Sequence, residues 1–361
     1  MNEGDASRTR RTPTLGVLVP CRDEVAVVAR KLANLARCRW PDAPRPHRVV
    51  IVDDQSSDET AARAREALVA HALTDGVVAT VLRNDGRAGK ASAIAAGVDA
   101  LADSVDVIVL TDADVVFEED ALLAVADAFT REPRLGMACG SQRFVRDLSP
   151  DGRALGADGR AAVPAPGRYD RWTAVVRARE SLRGMLFSVH GQLLAWRADL
   201  ALRPTPGLAA DDLDLMLAVR ARGLPVRKLD DARFLEVKTP KGPVAEAQAL
   251  RRARAYVQVV RRAHWPAGRD VELATRLQFA AYRVFPLAAP WLALAGVAAA
   301  LVLSAVSGGA SALRVVAAIL VAVLLSPPGR RLVRLLSVIA RATLVESRAE
   351  IGDRWEMTRG A

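Results

Sequence analysis

An α/β protein built on a mostly parallel sheet, followed by helices that cross a membrane, is the fold class that this 361-residue chain predicts. Three observations predict it. Short apolar runs alternate with helical segments from Leu15 to Leu110, the pattern of strands joined by right-handed crossovers. Each run ends in polar or acidic residues, so the chemistry gathers at one edge of the sheet, where open α/β sheets bind ligands. Farther on, Leu287 to Val306 carries no charge over a length that crosses a hydrocarbon core of about 30 Å.

The first strand, Leu15 to Pro20 (LGVLVP), runs into Cys21-Arg22-Asp23-Glu24 and then a helix over Val25 to Ala36 with apolar residues at helical spacing. The second, Val49 to Val52, ends in Asp53-Asp54-Gln55-Ser56-Ser57-Asp58-Glu59-Thr60, where Ser57 or Asp58 suits the cap of an alanine-rich helix. Val77 to Leu82 is the third, followed by a glycine-bearing loop from Gly86 to Lys90 and a helix over Ala91 to Leu101. The fourth, Val107 to Leu110, delivers Thr111-Asp112-Ala113-Asp114. Two carboxylates one residue apart at a strand end can share a hard cation such as Mg2+ or Mn2+, which then also takes oxygens from a diphosphate. Residues 146–168, rich in Gly, Pro and Asp without periodicity, predict a mobile loop, and Arg171 to Phe187 a basic amphipathic helix. Asp211, Asp212 and Asp214 open another helix, where carboxylates meet the dipole favourably.

Composition narrows the partners. The net charge of +10 and pI near 10.3 come almost entirely from arginine and ask for an anionic neighbour. Nucleic acid is not that neighbour, because aromatics are only 4% of the chain and none interleaves with the basic clusters. Cys21, Cys38 and Cys139 form no CxxC, which excludes a disulfide framework and a cysteine zinc site and fits a reducing, cytoplasmic compartment. The N-terminal MNEGDASRTRRTPT lacks an apolar secretory core. Pro20 to Glu24 is no GxGxxG, and Gly89-Lys90 is followed by Ala91 instead of Ser or Thr, so neither a dinucleotide fingerprint nor a P-loop is present.

Taken in order, the motifs resemble the family 2 glycosyltransferases, enzymes of the GT-A fold that use nucleotide-sugars, over Leu15 to Tyr256. Pro20-Cys21-Arg22-Asp23-Glu24 stands for the family's P-x-x-N-E, with Asp for Asn, and DD-x-S-x-D is present unchanged as Asp53 to Asp58. Arg83, Gly89, Lys90 and Gly97 match R…GK-x-x-A-x-N-x-G, and Asp112 and Asp114 are the D-x-D. Gly191 to Arg197 is similar to G-x-x-x-x-x-R, and Ala210-Asp211-Asp212 stands where the family has T/A-E-D. The Q-x-x-R-W of polymerising members is absent, and Arg251-Arg252-Ala253-Arg254-Ala255-Tyr256 occupies its place.

That resemblance implies a Rossmann-like mixed sheet of the GT-A type and an inverting sugar transfer. Pro20, Arg22 and Glu24 would line the nucleoside pocket, and Asp54 with Asp53 would accept the uracil imide N–H, which points to a UDP-sugar. Arg83, Lys90, Gly191 and Arg254 would face the donor, Asp112 the ribose or a metal-bound water, and Asp114 the Mg2+ or Mn2+ that neutralises the leaving diphosphate. Asp212 would be the general base that takes the acceptor's hydroxyl proton, the acceptor being lipid-linked or a polysaccharide. Two other classes remain open. VLTDADVV also fits a haloacid-dehalogenase-type phosphatase with Asp112 as nucleophile, and the missing Q-x-x-R-W leaves room for a non-catalytic membrane adaptor.

For the whole chain, the expected division is a flexible tail over 1–14 and a cytoplasmic catalytic domain over 15–262. That domain comprises a nucleotide-sugar half, 15–140, and an acceptor half, 141–240. A connector over 263–286 would lead to a transmembrane hairpin over 287–326 that turns at Ser307 to Ser311, then to an amphipathic tail over 327–361 on the headgroups. Arg276 and Arg283 before the hairpin and Arg330, Arg331 and Arg334 after it would hold both ends on the cytoplasmic side of the inner membrane.

Overall fold

The computed structural model describes residues 11–145, 147–155, 168–237, 243–262 and 272–346. Most of the expected N-terminal tail, the end of the C-terminal tail and part of the connector lie outside these residues. Two compact units result. The boundary expected at 262 falls earlier, because the helix Pro243–Arg262, which carries Arg254, belongs to the second unit.

The first unit opens with β1 (Leu15–Cys21), α1 (Val28–Arg37), β2 (His47–Asp53), α2 (Thr60–Ala70), β3 (Val77–Arg83), α3 (Lys90–Leu101) and β4 (Val107–Leu110). It continues with β5 (Val116–Phe117), α4 (Ala121–Arg131), β6 (Met137–Val145), β7 (Asp147–Leu148), β8 (Ala154–Leu155), α5 (Arg168–Leu182), β9 (Leu194–Arg197), α6 (Asp211–Ala221) and β10 (Val226–Val237). Eight strands form one mixed sheet in the order β3-β2-β1-β4-β9-β6-β10-β5. The first four are parallel, so their polar C-terminal ends share an edge. β9 runs antiparallel between β4 and β6, with Leu194 opposite both Leu110 and Cys139. Its register brings the segment before β9, which includes Gly191, to the edge where Asp112 and Asp114 emerge.

Burial explains which runs were legible. β1 and β4 are buried on both faces and read as continuous apolar stretches, whereas β3 lies at the sheet edge and alternates. One core joins both ends of the sheet: Val17, Val19, Val49, Ile51, Val107 and Val109 meet Leu32 and Leu35 of α1 and Phe129 of α4. On the other face, α3 lies so close to β1 that a Cβ at Gly97 would press into Leu18, with Leu18 Cδ2 at 3.0 Å and Cδ1 nearer still.

The loop expected over 146–168 is ordered in part. Residues 147–155 form the β7–β8 hairpin, while 146 and 156–167 lie outside the described residues. Arg37 of α1 holds this hairpin by bonding Asp151 Oδ2 at 3.1 Å and its carbonyl, which explains how so polar a stretch stays fixed.

The second unit is helical: α7 (Pro243–Arg262), α8 (Leu273–Leu325) and α9 (Pro327–Glu346). α9 packs on both partners, and Tyr256 Oη donates to the Tyr282 carbonyl. The turn expected at Ser307 to Ser311 does not form, because α8 is helical throughout and holds Pro286 and Pro290 within it. Small residues without Pro or Asn permit this continuation. Ser304 and Ser307 turn their hydroxyls back to the carbonyls of Ala300 and Leu303, at 2.7 and 2.5 Å, and satisfy themselves inside the helix. Among the described residues one segment, Leu273–Ser307 with mean hydropathy 2.0, is long and apolar enough to cross a membrane. Its Leu303 and Val306 are exposed, as the lipid-facing side of such a span would be, while Thr275 and Phe279 near its start are buried.

Gly97→Ala should therefore destabilise the first unit despite alanine's better helix propensity, since overpacking costs about 1–3 kcal/mol and the propensity gain is about 1. A lowered urea midpoint with unchanged slope is the expected result.

Candidate active site

The site grows from four strand ends. After β1, Asp23 takes a left-handed backbone (φ 53°), a conformation that Asn and Asp tolerate, which accounts for Asp in the place of Asn. Its Oδ1 accepts from the Ser57 amide at 2.6 Å and hydroxyl at 2.9 Å. Burial opposes the charge on Asp23, but these bonds hold its carboxyl below the usual range. After β2, Gln55 is likewise left-handed (φ 57°) and donates to the carbonyls of Asn84 and Gly86 at 3.1 and 2.7 Å. The first two loops thus lock onto each other and onto the third.

Asp54 is the hub of that lock. It is fully buried: Oδ1 accepts from Asn84 Nδ2 at 2.5 Å, Oδ2 from the Gly89 amide at 2.8 Å, and Arg22 stands 3.7 Å away. With both oxygens engaged, Asp54 organises the loop that launches α3. Its neighbour Asp53 makes a single long bond, 3.4 Å from the Ser56 amide, and is the less committed carboxylate. Glu24 is buried, with its amide on Thr60 Oγ1 at 2.7 Å, and Pro20 lies at the end of β1 in register with Val52. Arg83 points outward beside Asp85 at 3.9 Å and stays apart from the cluster.

Lys90, the first residue of α3, carries the connection across the sheet. Its Nζ donates to Asp112 Oδ1 at 2.7 Å and lies 3.8 Å from Asp211 Oδ2. Burial works against its charge, yet Asp112, Asp211 and Asp212 together raise the ammonium well above its ordinary value. Asp114 is exposed beside this junction.

The acidic group at the start of α6 divides its labour. Asp214 caps locally, accepting the Thr205 amide at 2.7 Å. Asp211 Oδ2 is buried without a hydrogen bond, and burial raises its carboxyl despite the Lys90 charge. Asp212 accepts its own neighbour's amide, Leu213 N, at 2.8 Å. Burial first, and then the Asp211 carboxylate, push Asp212 up to about 6. A Cβ at Gly191 would lie 3.5 Å from Asp212 Cβ, so glycine there keeps the space before the carboxylate open. Beside it, His190 takes an Arg177 nitrogen at 2.6 Å through Nε2. Arg197, at the end of the GxxxxxR segment, instead caps α4 by donating to the Phe129 and Glu132 carbonyls at 3.5 and 3.4 Å, bonds the Leu135 carbonyl beyond it at 2.9 Å and lies over the Phe129 ring.

The contacts link Arg22, Asp54, Gly89, Lys90, Asp112 and Asp211, and the adjoining Asp212 lies against Gly191 of the segment before β9. Arg254 stands on α7 in the second unit. Among the described residues no group of three His, Cys, Asp or Glu could hold a metal by itself. Asp112 and Asp114 offer a hard donor set that fits a divalent cation only when a ligand such as a diphosphate completes the shell.

Sequence reasoning missed Asn84, Lys31 and Asn34. Lys31 of α1 is completely buried and donates to Thr111 Oγ1 at 2.7 Å and the Val115 carbonyl at 3.1 Å. Burial pushes its ammonium down to about 8 against the pull of nearby Asp112 and Asp114. The available signal was a lysine inside the apolar stripe of Val28, Leu32 and Leu35.

Among solved structures, a mannosyltransferase from Pyrobaculum calidifontis, solved with GDP-Man and Mn2+, is 23% identical. The match covers 93% of this chain and 87% of that one with a TM-score of 0.66, and so shares the fold. Glucosyl-3-phosphoglycerate synthase from Mycobacterium tuberculosis, solved with Mn2+, UDP and glucosyl-3-phosphoglycerate, is 17% identical over 71% of this chain and 82% of its own, with a TM-score of 0.46. No curated protein matches the chain. The family model described as glycosyltransferase like family 2 matches residues 13–257, two thirds of the chain, and this protein belongs to that family.

Proposed function

We propose that the protein is an inverting glycosyltransferase that moves a sugar from a UDP-sugar to a hydroxyl of a lipid-linked or polysaccharide acceptor at the cytoplasmic face of a membrane. The observation that carries this reading is the Lys90 ammonium held between Asp112 and Asp211, next to an Asp212 whose carboxyl titrates near 6. A base with that proton affinity is ionised near neutral pH and still takes up a proton more readily than an ordinary carboxylate.

Asp53, less committed than Asp54, reads the base edge, with Pro20, Arg22 and Glu24 around the nucleoside. Asp114, with Asp112, would hold Mg2+ or Mn2+, which supplies charge for the leaving diphosphate. Lys90 adds a second positive charge toward the phosphates. Asp212 removes the acceptor's hydroxyl proton as its oxygen bonds to the anomeric carbon and the bond to the diphosphate breaks; a single displacement inverts the centre. Gly191 leaves room for the acceptor. Leu273–Ser307 would hold the enzyme in the membrane. Arginines flank this segment on both sides, so the charge rule no longer chooses an orientation, and the cytoplasmic side rests on three free, buried cysteines. The phosphatase alternative fits poorly, since its DxD belongs on an opening strand and this one follows the fourth.

Asp212→Asn should lower turnover by about 10²- to 10⁴-fold while leaving UDP binding intact. Its carboxyl is raised in the fold, so the native state gains protons between the ordinary value of 3.8 and about 6 and loses stability as pH rises through that window. The same variant should therefore melt at or above the wild-type temperature at pH 7.5. Wild-type kcat/KM should fall as pH drops through about 6. In a donor panel read by nucleotide release, EDTA should abolish turnover of the accepted sugar. Donor binding without any release would favour the adaptor alternative.

A further inference from the structure

We infer that Lys31 is a positioning residue for the cation-binding loop, bracketing Asp112 and Asp114 from beneath. This rests on the reading above of Asp114 as a metal ligand.

β4 ends at Leu110 and β5 starts at Val116, so the intervening residues leave the strand ladder where the carboxylates must be aimed. The Thr111 amide still reaches the Leu18 carbonyl at 3.0 Å. Beyond that point α1 supplies the support. Lys31 Nζ joins Thr111 Oγ1, one residue before Asp112, to the Val115 carbonyl, one residue after Asp114. One turn on, Asn34 closes the far end: Nδ2 donates to the Phe117 carbonyl and Oδ1 accepts the Phe117 amide, both at 2.8 Å. Together they form a polar ladder at i and i+3 on a helix face that otherwise packs as core.

A lysine with no exposed surface cannot extend its charge to water. Its hydrogen bonds go to a hydroxyl and a carbonyl, and the Phe117 ring lies 4.1 Å below the ammonium. Burying such a charge opposes folding, and a methionine would fill the same space without that penalty. What a methionine lacks is the two-point grip on the loop and a fixed positive charge under the aspartates. Lys31 acts one layer behind the ligands, as residues that orient a metal's ligands do.

The test measures Mn2+ binding by the full-length protein in detergent, read as loss of the free Mn2+ electron paramagnetic resonance signal, with UDP and with GDP. Lys31→Met and Thr111→Val, which removes one end of the grip at constant volume, are compared with Leu35→Ala. That control lies on the same helix, is buried in the core and is equally able to lower the melting temperature. Both loop variants should bind Mn2+ about 10- to 100-fold more weakly, while Leu35→Ala binds as wild type does. If Lys31→Met does not fold, Thr111→Val carries the comparison. Wild-type affinity in the loop variants, or an equal loss in Leu35→Ala, overturns the inference alone. A wild type that binds no Mn2+ with either nucleotide overturns it together with the metal-assisted reading.

Discussion

One ammonium group, that of Lys90, joins the two halves of the site. It sits where α3 begins, between the carboxylate that leaves β4 and the carboxylate that opens α6. These come from residues just under a hundred positions apart, and nothing in the sheet alone would let them converge. Opposite charges about 4 Å apart attract by about 4 kcal/mol at an effective dielectric of 20, before desolvation is subtracted. Carboxylates left there without the cation would repel or take up protons. The raised proton affinities of Asp211 and Asp212 show that even with Lys90 present the balance leans that way.

The rest of the first unit holds that junction in place. Asp54 has no exposure and cannot relax into water, so its bonds to Asn84 and the Gly89 amide fix the start of α3 and thereby the Lys90 stem. Asp23 and Gln55, both left-handed, tie the first, second and third loops together. Beneath the sheet edge, Lys31 and Asn34 fix the loop that carries Asp112 and Asp114. Most of the strain and nearly all the buried charge of the unit thus lie at a single edge, as expected where function has overridden packing.

Much of this was legible beforehand. Strands buried on both faces leave unbroken apolar runs, and each acidic or glycine-bearing motif sat at the end of one, so β1, β2, β4 and their loops could be read directly. The antiparallel insertion of β9 between β4 and β6 could not, because strand order is set by long-range pairing that leaves no local periodicity. Asp53 and Asp54 look equivalent in sequence and both are buried, and only their hydrogen bonds separate the organiser from the less committed carboxylate. Lys31 was hidden because a helical stripe is counted by its apolar members, and one lysine among them looks like noise. The long helix α8 ran on because two glycines and flanking serines weaken a helix without ending it.

The pH dependence of turnover in Lys90→Met, set against wild type, tests the account most directly. Lys90 lowers the proton affinity of Asp212, so removing it should move the acidic limb of the profile upward from about 6 while depressing the maximum. An unshifted limb with undiminished turnover would mean that the ammonium does not govern the base, and the link between the donor loop and the acidic helix would lose its basis.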